Sequence, residues 1–183
     1  MKQHLFISLR ITAALLAITC GIYPAVVWGV GQLAFSHQAN GSLITRNGRV
    51  IGSELIGQEF TSARYFHSRP SAVNFDPSAS GGSNLGPTSR KLAERIAADV
   101  HGRHDVPADA VTTSASGVDP HISPANAQLQ VPRVARARGM DENQLRAIVD
   151  QHTEGRFLGI FGERRVNVLL LNLALDDSHA ATR

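Results

Sequence analysis

The amino-acid sequence predicts an α+β protein: one N-terminal transmembrane helix followed by a single mixed extracytoplasmic domain with a small sheet and about three helices. Two observations carry that class. Ile11 to Phe35 is apolar and free of charge, and a bilayer core of about 30 Å needs roughly 20 helical residues to cross it. Beyond residue 45, segments of helical spacing alternate with short β-prone runs bounded by Gly, Pro and Asn.

The division of the chain is then residues 1–10 cytoplasmic, 11–35 a membrane helix, and 36–183 one domain. Lys2, His4 and Arg10 precede the apolar run, and no Lys, Arg, Asp or Glu follows until Arg46. The positive-inside rule keeps the N-terminus cytoplasmic and sends the domain across the membrane as a single-pass protein. Signal-peptide cores are shorter, about 7 to 15 residues, so a retained anchor is expected. Pro24 predicts a kink.

Asn47-Gly48, between two short apolar runs, is a hairpin signal, because both residues accept positive φ. Glu54 to Phe60 continues as strand or turn. Tyr65 to Pro87 carries three prolines, three glycines and many Ser and Asn, so it reads as a long loop. Loops of that length are functional or mobile. Thr88 caps a helix through Val100, with Leu92, Ile96 and Val100 on one face and Gly102 as terminator. Val111 to Gly117 is a β-prone run. Ser123-Pro124 opens a helix, bent at Pro132 and closed at Gly139. Asp141-x-x-Gln144 opens another, burying Leu145, Ile148 and Val149. Arg165 to Leu175 is expected as a central strand, apolar on both faces, with a frayed tail from Asp176.

Several function classes fall away. The net charge of +3 includes Lys2 and Arg10; the remaining 16 basic and 15 acidic groups make the domain nearly neutral, so nucleic acid is a poor partner. One cysteine, Cys20, excludes an intramolecular disulfide and a cysteine-ligated metal. No metal site is expected: His101, His104 and Asp105 read as solvated residues past a helix end. No catalytic group is expected either, since there is no G-x-S-x-G elbow. Ser114, Ser116, Asp119 and His121 lie close in sequence but read as turn residues; Ser116 and His121 are the best candidates of a competing class, a stand-alone anchored periplasmic enzyme, hydrolase-like. The stretch Ser80 to Pro87 offers backbone N–H groups to an anion but lacks a Walker lysine. Arg133, Arg136 and Arg138 read as a solvated basic face near a helix C-terminus.

Longer phrases carry a resemblance. They are Gln38-Ala-Asn-Gly-Ser-Leu-Ile44, Gly52-Ser-x-Leu-Ile-Gly-Gln58, Tyr65-Phe-x-x-Arg-Pro-Ser-Ala72 and Ala79-Ser-Gly-Gly-Ser-Asn-Leu85. Further on come Val111-Thr-Thr-Ser-Ala-Ser-Gly117, Asp119-Pro-His-Ile-Ser-Pro124, Arg133-Val-Ala-x-Ala-Arg138 and Val166-Asn-Val-x-x-Leu-Asn-Leu-Ala-Leu175. In order and over nearly the whole chain, they closely resemble KdpC, the C-subunit family of the Kdp-type high-affinity potassium-transporting P-type ATPases. One departure is Arg164, where the family usually has proline.

The resemblance implies an accessory subunit, not itself an enzyme. Its partners would be a channel-like potassium-binding subunit, a phosphorylated P-type ATPase subunit and a very small fourth subunit. It also implies a catalytic-chaperone role that raises the ATP affinity of the ATPase subunit in a transient ternary complex with ATP, with no stably bound cofactor. The D-K-T-G-T phosphorylation motif is absent from this chain. An external domain and an internal ATP site are in conflict unless the effect passes through subunit contacts. Tyr65, Arg69, Ser83, Asn84, Asp119 and His121 are the expected partner-binding residues, because a long Gly/Ser/Asn-rich loop has little reason to stay ordered unless something binds it.

Overall fold

A computed structural model describes residues 2–100 and 104–180, and it divides the chain at Leu43/Ile44 into two units. In the first, helix α1 (Lys2–Ala34) is long and apolar enough to cross a membrane and buries none of its residues within the unit. Ala17–Ile22 winds as a π-helix immediately before Pro24. Proline removes one N–H and crowds the preceding turn, so a local widening takes up the strain there. Thr19 Oγ1 donates to the Leu15 carbonyl at 2.8 Å. A single helical turn, α2 (Ser36–Ala39), follows.

Strands β1 (Leu43–Arg46) and β2 (Arg49–Ser53) form the expected hairpin. Asn47 and Gly48 both take positive φ, 51° and 75°, as a two-residue turn of this hand requires. Glu54 to Phe60 is turn and coil, without a further strand.

The core of the second unit lies between helices and a small sheet. Helix α3 (Arg90–Val100) and the short α4 (Ala108–Val111) precede strand β3 (His121–Ile122). Helices α5 (Pro124–Arg138) and α6 (Glu142–Gln151) come next, then strands β4 (Thr153–Glu154) and β5 (Arg165–Asn167), and helix α7 (Val168–Ala180). The sheet order is β3-β5-β4, antiparallel throughout, with Ile122 and Thr153 both opposite Val166. Phe66, Ile122, Val131, Val134, Leu145, Val149, Val166, Leu171 and Leu175 are buried together in one cluster.

Local chemistry explains the helix pair. Ser123 Oγ accepts the Asn126 N–H at 3.0 Å and Pro124 takes the first helical position. Pro132 lies inside α5, which continues through it to Gly139, whose φ of 67° closes the helix. Asp141 Oδ1 accepts from the N–H groups of Asn143 and Gln144, opening α6.

Four expectations are corrected. Arg165 to Leu175 is not one strand: three residues pair in the sheet and the rest begin α7. An all-apolar run has no readable period, but Leu and Ala favour helix, and buried Val168, Leu171, Asn172 and Leu175 fall on one helical stripe. Asn167 Oδ1 accepts the Leu170 N–H, capping that helix where the strand stops. Asp176 is therefore not frayed; it continues α7 and pairs with Arg138. Val111 to Gly117 forms no strand: Val111 ends α4 and the rest is bend and coil. Ser89, not Thr88, accepts the Leu92 N–H at the start of α3. The expected stop at Gly102 and the reading of His101 lie outside the described residues.

Candidate functional site

The long loop is pinned by polar contacts to the segment 113–119. Ser71 Oγ donates to the Gly117 carbonyl at 2.6 Å and accepts the N–H groups of Val73 and Phe75. Gly81 N–H donates to the Ser116 carbonyl at 2.8 Å, and Ser80 Oγ donates to the same oxygen. From the other side, Gly57 N–H donates to the Val118 carbonyl at 2.7 Å. A methyl group on Gly57 would stand 2.5 Å from the Asp119 carbonyl oxygen, so only glycine permits this approach.

That clamp gathers four of the six expected residues. Arg69 Nη1 pairs with Asp119 Oδ2 at 3.3 Å, and its Nη2 donates to the Thr113 carbonyl at 3.4 Å. Asp119 Oδ1 accepts the His121 N–H at 3.0 Å, and the His121 ring Nδ1 lies 3.7 Å from the same oxygen. Thr113 Oγ1 donates to Ser83 Oγ at 3.1 Å, which attaches Ser83 to the group. Asn84 follows, exposed and with φ of 53°. Burial pushes the Asp119 carboxyl up, but the hydrogen bonds of His121 and the charge of Arg69 together outweigh it and hold the group below its ordinary value.

Tyr65 belongs to a different cluster. Its hydroxyl donates to Asp176 at 3.0 Å, its ring packs tilted by 48° against Phe60 at 5.6 Å, and the Arg138 guanidinium sits 5.0 Å from the ring centre. Arg138 also donates to the Arg64 carbonyl at 2.6 Å and pairs with Asp176 at 2.9 Å, with its side chain only 1% exposed. Arg133 donates to the carbonyls of Ala63 and Tyr65 and to Gln130 Oε1. The solvated basic face expected of residues 133–138 therefore holds for Arg136 alone. The signal was present: Arg138 stands four residues after buried Val134 and seven after Val131, on the core stripe of α5.

Between the clusters an open groove of about 660 Å³ is lined by Phe60, His67, Arg69, Gln130 and Arg133 among others. Gln130 holds both the N–H and the carbonyl of His67, at 2.8 and 3.1 Å. A second recess of about 520 Å³ shares Arg69 and is lined by Asp119, His121, Arg164 and Arg165 among others. His67 and Gln130 were missed in the sequence, because their pairing joins residues more than sixty positions apart.

The arrangement offers hydrogen-bond donors and a fixed ion pair. Ser116 Oγ accepts the Val118 N–H, as a turn residue does, and His121 turns toward Asp119. Ser114 Oγ likewise accepts the Gly117 N–H. Among the described residues no group of three or more His, Cys, Asp and Glu stands close enough to hold a metal ion. The Gly-rich stretch spends the Gly81 N–H on Ser116, so that amide is not available to cradle a phosphate.

The chain matches the family model described as KdpC, the K+-transporting ATPase c chain, over residues 5–177. It is 55% identical to the potassium-transporting ATPase KdpC subunit of Gemmatimonas aurantiaca, covering all of this chain and 96% of that one. Identity is 51% to the KdpC subunit of Koribacter versatilis, over 96% of this chain and 95% of the relative. It is 52% to that of a Synechocystis strain, over 97% and 100%. Matches of that length and identity, in line with the phrases running from Gln38 to Leu175, place this chain in the KdpC family of potassium-transporting ATPase subunits.

Proposed function

We propose that this chain is a non-catalytic accessory subunit of an ATP-driven, high-affinity potassium-uptake complex. The observation that supports it most is the family match over 5–177 at above 50% identity to KdpC subunits. Helix α1 anchors the chain in the inner membrane, and the charge asymmetry around it argues for a cytoplasmic N-terminus and a periplasmic domain. The domain stabilises the assembly by contacting a channel-like potassium-binding subunit and the P-type ATPase subunit, near the external potassium entrance. The Arg69–Asp119–His121 group, Ser83 and Asn84 form its contact surface.

The same reading covers the chaperone role. A subunit that binds one conformation of the ATPase more tightly shifts its nucleotide affinity without touching nucleotide, because coupling between sites is reciprocal. The Gly81 N–H is already spent on the Ser116 carbonyl, and the effect on ATP is assigned here to subunit contacts. The hydrolase alternative gains no support from Ser116, whose hydroxyl is engaged in its own turn.

The test is purification of a tagged full chain in mild detergent from potassium-starved cells, with an ATPase assay on what is recovered. Recovery with a multi-span protein and a P-type ATPase is the expected result; recovery of the chain alone overturns the reading. A reporter fused after Arg183 that scores cytoplasmic overturns the topology.

A further inference from the structure

We infer that the hairpin tip from Phe157 to Phe161 is a preformed docking knob that seats in an apolar pocket, rimmed by a carboxylate, on another subunit of the transporter. The inference rests on the subunit reading above and adds an interaction surface to it.

The tip exposes apolar area that the fold does not need. Phe157, Leu158, Ile160 and Phe161 are 72, 73, 72 and 62% exposed, whereas the core of the same domain is complete without them. Four large apolar side chains on five consecutive residues form a contiguous patch, which monomeric surfaces rarely carry without a partner. The patch is also rigidly built. Phe157 N–H donates to the Phe161 carbonyl at 2.8 Å and Phe161 N–H returns to the Phe157 carbonyl at 2.9 Å. Gly159 N–H closes on the Arg156 carbonyl, and Leu158, Gly159 and Gly162 hold positive φ. Leucine at φ of 53° is a strained choice, retained here with its side chain in solvent. A loop already in its bound shape loses little entropy on docking.

The charges around the tip select the occupant. Arg156 pairs with Glu163 at 3.6 Å and Arg165 with Glu154 at 2.8 Å, so the collar is mostly neutralised from within. Arg164 is exposed and has no ion pair among the described residues, which leaves one positive charge at the base of the knob. An apolar knob with a single free guanidinium complements an apolar pocket with one carboxylate on its rim. A bilayer surface fits less well: binding to anionic lipid draws on clustered free Lys and Arg, and with Arg156 and Arg165 paired this tip keeps one free guanidinium.

The experiment uses the full chain co-expressed with its transporter partners. Leu158→Asp with Ile160→Asp is expected to lower partner recovery at least about tenfold, the scale of losing buried apolar anchors. The melting temperature of the isolated variant should stay unchanged, since both side chains are in solvent. Arg164→Glu should lower recovery as well. A photo-crosslinker at position 158 gives a reading that needs no destabilising variant, and a covalent product with another subunit is the expected result. Unchanged recovery in the double variant, while the wild type recovers its partners, overturns this inference and leaves the subunit reading standing. Crosslinks to lipid alone, or a blue-shifted fluorophore at 158 in phosphatidylglycerol nanodiscs without partners, overturn it in favour of the bilayer. Failure of the wild type to recover partners sinks both.

Discussion

Asn172 Oδ1 accepts the Phe66 N–H at 2.8 Å while its Nδ2 donates to the Phe66 carbonyl at 2.9 Å, joining positions 106 residues apart. Both groups are buried, with Asn172 2% exposed and Phe66 fully enclosed. The amide thereby acts as a strand would, satisfying the backbone of an irregular segment that enters the core. It ties the start of the long loop to α7, and so positions Arg69 three residues on.

Asn172→Leu keeps the branched shape of the side chain and removes both bonds, leaving a buried N–H and a buried carbonyl without partners. The expected loss is about 2–4 kcal/mol. Urea denaturation of the full chain in detergent measures it; a loss below about 1 kcal/mol would mean that water reaches Phe66.

Gly57→Ala tests the clamp on the Asp119 turn. The new methyl would meet the Asp119 carbonyl oxygen at 2.5 Å and its carbon at 2.9 Å, and backbone on both sides cannot yield cheaply. A cost of about 2–4 kcal/mol is expected, together with weaker partner recovery because Asp119 is displaced. Wild-type stability would show that the two segments are separable.

These two positions show what a linear reading misses. The hairpin at Asn47-Gly48, the Ser123 and Asp141 caps and the Gly139 stop are all local, since side chain and backbone a few residues apart determine them. Tyr65 to Pro87 is likewise a loop as expected, but its order comes from Ser116, Gly117 and Asn172. Nothing within the loop's own residues announces those partners.

Stability should fall on mild acidification, with His67 as one cause. Burial, then the Arg133 charge, lower its pKa below the ordinary 6.5, only partly offset by the Ser62 carbonyl. The unfolded chain therefore takes up a proton at higher pH than the folded one. This contribution is fully present above about pH 6.5 and declines as pH falls through that value toward the folded pKa. His67→Gln should flatten the pH dependence of the urea midpoint between about pH 7.5 and 5.5. Asp119 acts in the same direction but lower: its depressed pKa favours the fold above its unfolded value, and that is lost on further acidification. An unchanged slope in His67→Gln would assign the decline to other groups.

Arg69→Ala and Asn84→Ala separate contact from stability. The Arg69–Asp119 pair is about one-quarter exposed on each side, so its loss should cost only about 0–1 kcal/mol. Partner recovery should nonetheless fall several-fold if this face meets another subunit. Tyr65→Phe should do the reverse, lowering stability by about 1 kcal/mol through the lost Asp176 bond with little effect on recovery. The opposite pattern would move the contact surface to the Tyr65 cluster.

A membrane-length helix, Lys2–Ala34 in the structure, was legible from the apolar run beginning at Ile11 because hydropathy is a property of consecutive residues, and family membership was legible because the phrases from Gln38 to Leu175 run in order. The last segment was not: Val168 to Leu175 is apolar at every position but Asn172, so pattern could not distinguish strand from helix. Packing decided it. In a helix Val168, Leu171 and Leu175 reach one core and Asn172 reaches Phe66, whereas a strand would split them between two faces. The burial of Arg138 has the same origin, since its partners Tyr65 and Asp176 are brought beside it only by the fold.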